Sequence, residues 1–255
     1  MKKLITLLLS LVVLAGCGTP SGSQHATQDQ SKSRASASAK VHTELAGMYY
    51  ERAQMGVALG EIDLALQADR NYAPAYSMRG LIHMVLREDK EAEEDFQHSL
   101  RLDRSDSQTH NNYGWFLCQR GKEKESISYF MVALKNPLYT TPERAWLNAG
   151  LCSQKAGNLK DAEEFLQRAL LVQPDLQQAL LAMAELSFTN GDYTAAKKYF
   201  AQFSEKSDSL TAEQLWLAVR IERKVGDRNS EASYSMQLRK RFPDAREAKL
   251  LMHGE

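Results

Sequence analysis

The chain has 255 residues, 43% of them hydrophobic, with 32 basic side chains against 32 acidic ones. A chain of that size buries a full core without needing a disulfide. Its charge balance lacks the clustered basic surface that nucleic-acid phosphates demand, so no nucleic-acid partner is expected.

Lys2 and Lys3 precede an apolar run that ends in Leu14-Ala15-Gly16-Cys17. A charged start, a short apolar stretch and small residues before a cysteine read as a bacterial lipoprotein signal peptide over residues 1–16. The run is too short for a spanning helix, which needs about 20 apolar residues. In lipoproteins with this motif the cysteine sulfur takes a diacylglycerol, cleavage follows Gly16, and the new amine is acylated. Cys17 is therefore the expected lipidation site. Each buried CH₂ contributes roughly 0.8 kcal/mol, so several acyl chains on one residue anchor stably. Gly18 carries no acidic retention signal, which points to the periplasmic face of an outer membrane. Loss of Lys2 and Lys3 leaves a nearly neutral mature protein. From Gly18 to about Ala39 almost nothing is apolar, and residues 17–38 are expected to form a flexible tether.

The remainder repeats itself. Ala46, Gly80, Gly114, Gly150 and Ala184 are separated by steps of 34, 34, 36 and 34 residues. Ala58, Ala92, Ser126, Ala162 and Ala196 keep those steps, and so do the bulky Ile62, Phe96, Phe130, Leu166 and Phe200. A 34-residue period with small and bulky landmarks resembles the tetratricopeptide repeat, a helix–turn–helix unit. Small residues let the paired helices approach, and the bulky series fills the space beside them. Gly121, Gly157, Gly191 and Gly226 sit where the turn inside a unit needs a C-cap glycine. The units run at about 39–72, 73–106, 107–142, 143–176, 177–210 and 211–244. The third holds two extra residues around Pro137–Pro142. The sixth is loose, with Val219 and Glu231 where small residues belong, as terminal units often are. Ala245, Ala248 and Leu251 have helical spacing, so 245–255 is expected to cap the stack. The fold class is all-α, a right-handed superhelix of six repeats.

In this repeat family, ligands contact five positions of each unit's first helix, on the inner face. The apolar members here are Tyr50, Leu81, Met84, Val85, Trp115, Cys118, Leu147, Leu151, Leu181 and Phe188. Polar members are Asn111, Gln119, Arg144, Gln154, Lys155 and Glu185, and Trp216, Arg220, Arg223 and Lys224 follow toward the C-terminus. A lysine- and asparagine-rich clamp for a terminal carboxylate is missing: Ser77 and Leu81 hold its positions. The pattern favours an apolar groove for an amphipathic partner segment, with Tyr50, Leu81, Met84, Trp115, Cys118, Leu151 and Phe188 as contacts. Leu147, Leu151 and Leu181 are equally suited to the core between units. Arg220, Arg223 and Lys224 read as a solvated face. Cys118 and Cys152 are expected to be free buried thiols, although an oxidising compartment permits a bridge.

Patterns for catalysis do not appear. His25, His42, His83, His98, His110 and His253 form no zinc-hydrolase pair at i, i+4 with an intervening glutamate. There is no glycine-rich phosphate loop and no nucleophile elbow. Glu91, Glu93, Glu94 and Asp95 fall on a second helix, normally a solvated face. The reading is a binding protein with no enzyme activity, cofactor, metal or small-molecule substrate.

Asn111-Asn112-Tyr113-Gly114-Trp115-Phe116-Leu117-Cys118, Trp146-Leu147-Asn148-Ala149-Gly150, Leu215-Trp216-Leu217-Ala218 and Arg239-Lys240-Arg241-Phe242-Pro243 add a narrower signal. With the lipobox, they make the chain resemble the type IV pilus biogenesis and stability lipoproteins, the PilF/PilW family. The resemblance implies a pilotin: a lipoprotein that binds the pilus secretin subunit and promotes its outer-membrane localisation and multimerisation. Pilus assembly and twitching motility would depend on it. The alternative is a repeat scaffold for another envelope machine, in β-barrel assembly or the regulation of peptidoglycan enzymes.

Overall fold

The computed structural model describes residues 22–253. The signal segment 1–16, the lipidation site Cys17 and the last two residues of the expected cap lie outside the described residues. The first unit pairs α1 (Gly22–Glu51) with α2 (Met55–Ala68), and the second pairs α3 (Ala73–Leu86) with α4 (Asp89–Leu102). The third and fourth hold α5 (Ser107–Gln119) with α6 (Glu123–Leu134), and α7 (Pro142–Lys155) with α8 (Leu159–Val172). The last two hold α9 (Gln177–Thr189) with α10 (Tyr193–Glu205), and α11 (Ala212–Val225) with α12 (Arg228–Arg241); α13 (Arg246–Met252) follows.

Local rules explain the helix ends. Asp106, Asn158, Asp192 and Asp227 each accept a backbone N–H as N-caps, and Thr211 forms a capping box with Gln214. The turns inside the fourth and fifth units pass through Gly157 (φ 78°) and Gly191 (φ 82°), in the left-handed region that glycine enters without strain. In the second unit Arg87 takes that role at φ 65°.

The landmark series meet as the core. Ala58, Ala92, Ser126, Ala162 and Ala196 are fully buried, as are Ile62, Phe96, Phe130 and Leu166. Small residues of the first series oppose the bulky series directly: a Cβ on Gly80 would come within 2.9 Å of the Phe96 ring, and one on Gly114 within 2.8 Å of Phe130. Each bulky side chain thus fills the volume that its partner glycine lacks. In the sixth unit the sizes exchange. Val219 is fully buried there, while the position 35 residues after Phe200, the step from Gly191 to Gly226, is the buried Ser235. Glu231 is held by Arg223 Nε at 2.8 Å. That unit is therefore packed, not loose.

The first helices run side by side as an inner row, each also packed against the second helix of the unit before. The row loosens toward the C-terminus, where α9 and α11 barely touch. The connection before α11 runs over 206–211, whereas that before α9 needs only 173–176. The segment α13 packs on α11 and α12, burying Ala248.

Two expectations are corrected. The segment expected as a flexible tether is helical from Gly22 onward. Ala39 and Ala46 are fully buried, so packing fixes the C-terminal part of α1. The Ser-, Ala- and Gln-rich stretch before them then continues the helix, since extension is cheap once a nucleus exists. Cys118 and Cys152 are bridged, not free. They lie on adjacent inner helices, two residues out of repeat register, with Cα atoms 5.9 Å apart, within disulfide reach.

Candidate functional site

The inner row is less apolar than its sequence reading suggests. At its centre a cavity of about 480 Å³ is lined by Gln108, Asn111, Asn112, Arg144, Asn148 and Trp115, among others. The amides form a ladder across units. Asn148 Nδ2 donates to Asn111 Oδ1 (3.0 Å), Gln108 Nε2 to Asn112 Oδ1 (2.9 Å), and Asn112 Nδ2 to Ser77 Oγ (3.2 Å). Asn111 and Asn112 are both buried, and paired amides are what make that burial tolerable. Leu147, the apolar candidate nearest them, is only 4% exposed and belongs to the core between units.

Beside this cavity, Met84, Val85, Arg87, Trp115, Gln119 and Arg120 line a cleft of about 310 Å³. Val85 is exposed and Trp115 is half-buried, so one flank of the indole ring stays open. Arg120 bounds the cleft rigidly. It donates to the Met84 carbonyl (3.3 Å), pairs with Asp89, and lies over the Phe116 ring at 5.3 Å. The bond from Arg120 holds the Asp89 carboxyl below its ordinary range.

A third recess, about 710 Å³, occupies the gap between α9 and α11. Its walls include Phe188, Tyr193, Trp216, Arg220 and Glu185. The Arg220 guanidinium lies 4.7 Å from the Phe188 ring centre and 5.9 Å from that of Trp216. Lys224 Nζ lies 5.8 Å from the Tyr193 ring, and Arg223 5.8 Å from Trp216. Burial depresses the pKa of Arg220 against the opposing field of Glu185. Glu185 keeps a solvent-open flank, yet the walls strip water from its carboxyl and push it up, with the Arg220 charge opposing. Arg220 and Arg223 are thus half-buried against aromatic rings, whereas Lys224 is exposed, as a solvated face requires.

The expected contacts are distributed over these features. Met84 and Trp115 share the 310 Å³ cleft, and Phe188 lines the C-terminal recess. Leu81, Tyr50 and Leu151 are half-buried and lean on core clusters of their own units. Cys118 is 1% exposed and bridged, so it is not a groove contact. Its carbonyl instead accepts from Lys155 Nζ at 2.6 Å, and that lysine also reaches Glu123 at 3.3 Å. Sequence reasoning overlooked Asn112, Asn148 and Gln108. Amides clustered on successive first helices were the available signal.

Comparisons with known proteins bear on the fold and the family. The tetratricopeptide repeat family matches residues 73–106 and 143–176. Over 239 residues, 94% of this chain and 93% of the relative, the chain is 26% identical to the type IV pilus assembly protein PilF of Pseudomonas aeruginosa. The solved structure of PilW, described as a widely conserved type IV pilus biogenesis factor, is 32% identical, with a TM-score of 0.76 over 84% of this chain and 98% of that one. The solved Pseudomonas aeruginosa PilF shares the fold, with a TM-score of 0.79 at 24% identity over 88% of this chain and 99% of that one. With close to a third of its residues and almost the whole length of PilW held in common, this chain belongs to the PilF/PilW family of type IV pilus biogenesis proteins.

Proposed function

We propose that this protein is an outer-membrane lipoprotein that binds the secretin subunit of the type IV pilus, promoting its outer-membrane localisation and multimerisation. Its activity is binding, not catalysis. Acyl chains on Cys17 supply the membrane address, and α1 carries the repeats away from it. The inner face holds an apolar segment of an unassembled subunit until multimerisation buries that segment. Pilus assembly and twitching motility follow from a correctly placed pore.

The observation that carries this reading is the cleft between α3 and α5, where Met84, Val85 and the open flank of Trp115 meet beside the fixed Arg120. Methionine adapts to varied partners, and tryptophan is enriched at interface centres. Burying one large apolar side chain contributes roughly 1.5–3 kcal/mol, so a few such anchors reach micromolar affinity after association costs. Among the described residues no helix is long and apolar enough to cross a membrane.

The test combines Met84→Ala with Trp115→Ala and measures binding of the secretin's periplasmic part by calorimetry, with helicity and melting as controls. At least a tenfold loss of affinity is expected with the fold intact. Unchanged affinity removes the cleft from the account. In cells, Cys17→Ala is expected to move secretin multimers to the inner membrane, and unchanged placement counts against the pilotin reading.

A further inference from the structure

The recess between α9 and α11 holds a guanidinium that feels the Glu185 charge but makes no ion pair with it. Arg220 lies half-buried with its Nε shut off from solvent and without a hydrogen-bond acceptor. Among the described residues no carboxylate comes within 4.0 Å of it in an ion pair, although other cations of the stack are paired. Arg79 grips Asp95, and Lys197 takes Glu222 at 2.7 Å and Asp227 at 2.9 Å. Stacking on Phe188 and Trp216 offsets part of the desolvation of the guanidinium. Stacking occupies only its faces. The in-plane N–H fork remains, and its best partner is a carboxylate bound edge-on.

The surroundings narrow the ligand further. Phe188, Trp216 and Leu217 supply apolar wall, so an aliphatic or aromatic neighbour of that carboxylate has a seat. Glu185, Glu213 and Glu247 line the same recess. They repel a second negative charge and disfavour a bulky anion such as a phosphate. A main-chain terminus has no stem with which to pass them and reach a recessed guanidinium, whereas an Asp or Glu side chain has one. At about 710 Å³ the recess takes a few side chains, not a folded domain.

We propose that this recess is a second peptide-binding site, taking a partner segment that presents an Asp or Glu side chain to Arg220 and an adjacent apolar side chain to Phe188 and Trp216. The site lies three units beyond the Met84–Trp115 cleft. It stands whichever envelope protein supplies the segment, so failure of the secretin reading leaves it untouched.

The test pans the purified full-length lipoprotein against random octapeptides that are acetylated and amidated, so that only side chains carry charge. A parallel library keeps free C-terminal carboxylates. Binders are expected to be enriched in Asp or Glu beside Leu or Phe in the blocked library. Their affinity should fall at least tenfold when the acid becomes its amide or in Arg220→Gln, and recover partly in Arg220→Lys. Glu185→Gln removes a repelling carboxylate and should tighten binding several-fold, an effect that a purely structural role does not produce. The proposal is overturned if no acid is enriched, if only free termini select, or if Arg220→Gln leaves the preference intact. Should Arg220→Gln not fold, the Glu185→Gln arm decides alone, and unchanged affinity there overturns it.

Discussion

A Cβ built on Gly150 would lie 2.7 Å from Leu166 Cγ and 3.2 Å from the Leu166 backbone nitrogen. The first contact can be relieved by a rotamer change, but the second only by separating α7 from α8. Gly150→Ala is therefore expected to destabilise by about 1–3 kcal/mol through overpacking, despite alanine's better helix propensity. Urea unfolding checks this. Leu166→Ala alone leaves a cavity and costs about 2–5 kcal/mol. Adding Gly150→Ala to Leu166→Ala should cost less than Gly150→Ala in the native background, because the side-chain clash is gone and only the backbone contact remains.

That pairing also shows what the sequence made legible. Gly80, Gly114 and Gly150, one repeat apart, could be matched with Phe96, Phe130 and Leu166 because one helix pair recurs in one register. Features that depend on how units depart from each other were not legible. The connection over 206–211 and the exchange of bulk between Val219 and Ser235 belong to the end of the stack. Together with the standing-off of α11, they are why Arg220 read as a solvated residue. The helix over 22–38 was hidden for another reason: its composition is polar on every side, and its order is borrowed from the packed Ala39 and Ala46.

The Cys118–Cys152 bridge joins two inner helices and closes a loop with a sequence separation of 34. Loop-closure entropy for that length gives a stabilisation of about 3–4 kcal/mol. Reduction with dithiothreitol, or Cys118→Ala with Cys152→Ala, should lower the urea midpoint accordingly. Amide exchange should speed up first in α5 and α7, next to the Asn111–Asn148 bond. Equal midpoints under oxidising and reducing conditions would remove the bridge as a staple.

Arg87 sits at φ 65°, where the later units place a glycine. The left-handed conformation costs a non-glycine residue about 1–2 kcal/mol, and glycine's larger unfolded-state entropy returns about 0.5–1 kcal/mol of that. Arg87→Gly should thus raise stability by somewhat under 1 kcal/mol, while Gly121→Ala, at φ 79°, should lower it. The melting temperatures of the two variants should move in opposite directions.

Asp227 joins the fifth unit to the sixth. It accepts the Ser230 backbone N–H (3.1 Å) as the N-cap of α12 and Lys197 Nζ at 2.9 Å, and these bonds hold its pKa down to about 2. The ordinary aspartate value is about 3.9. Because the folded value is the lower one, the stabilisation is complete above about pH 4 and is lost as pH falls through about 2. Asp227→Asn keeps an acceptor for the Ser230 N–H but has no charge to titrate and none to offer Lys197. Wild type should therefore exceed this variant in melting temperature at pH 6, and the gap should close between pH 4 and pH 2. The closure should coincide with faster amide exchange in α11 and α12, because Lys197 also holds the buried Glu222 of α11. A gap that stays constant down to pH 2 would show that the Lys197–Asp227 pair contributes nothing to docking the last unit.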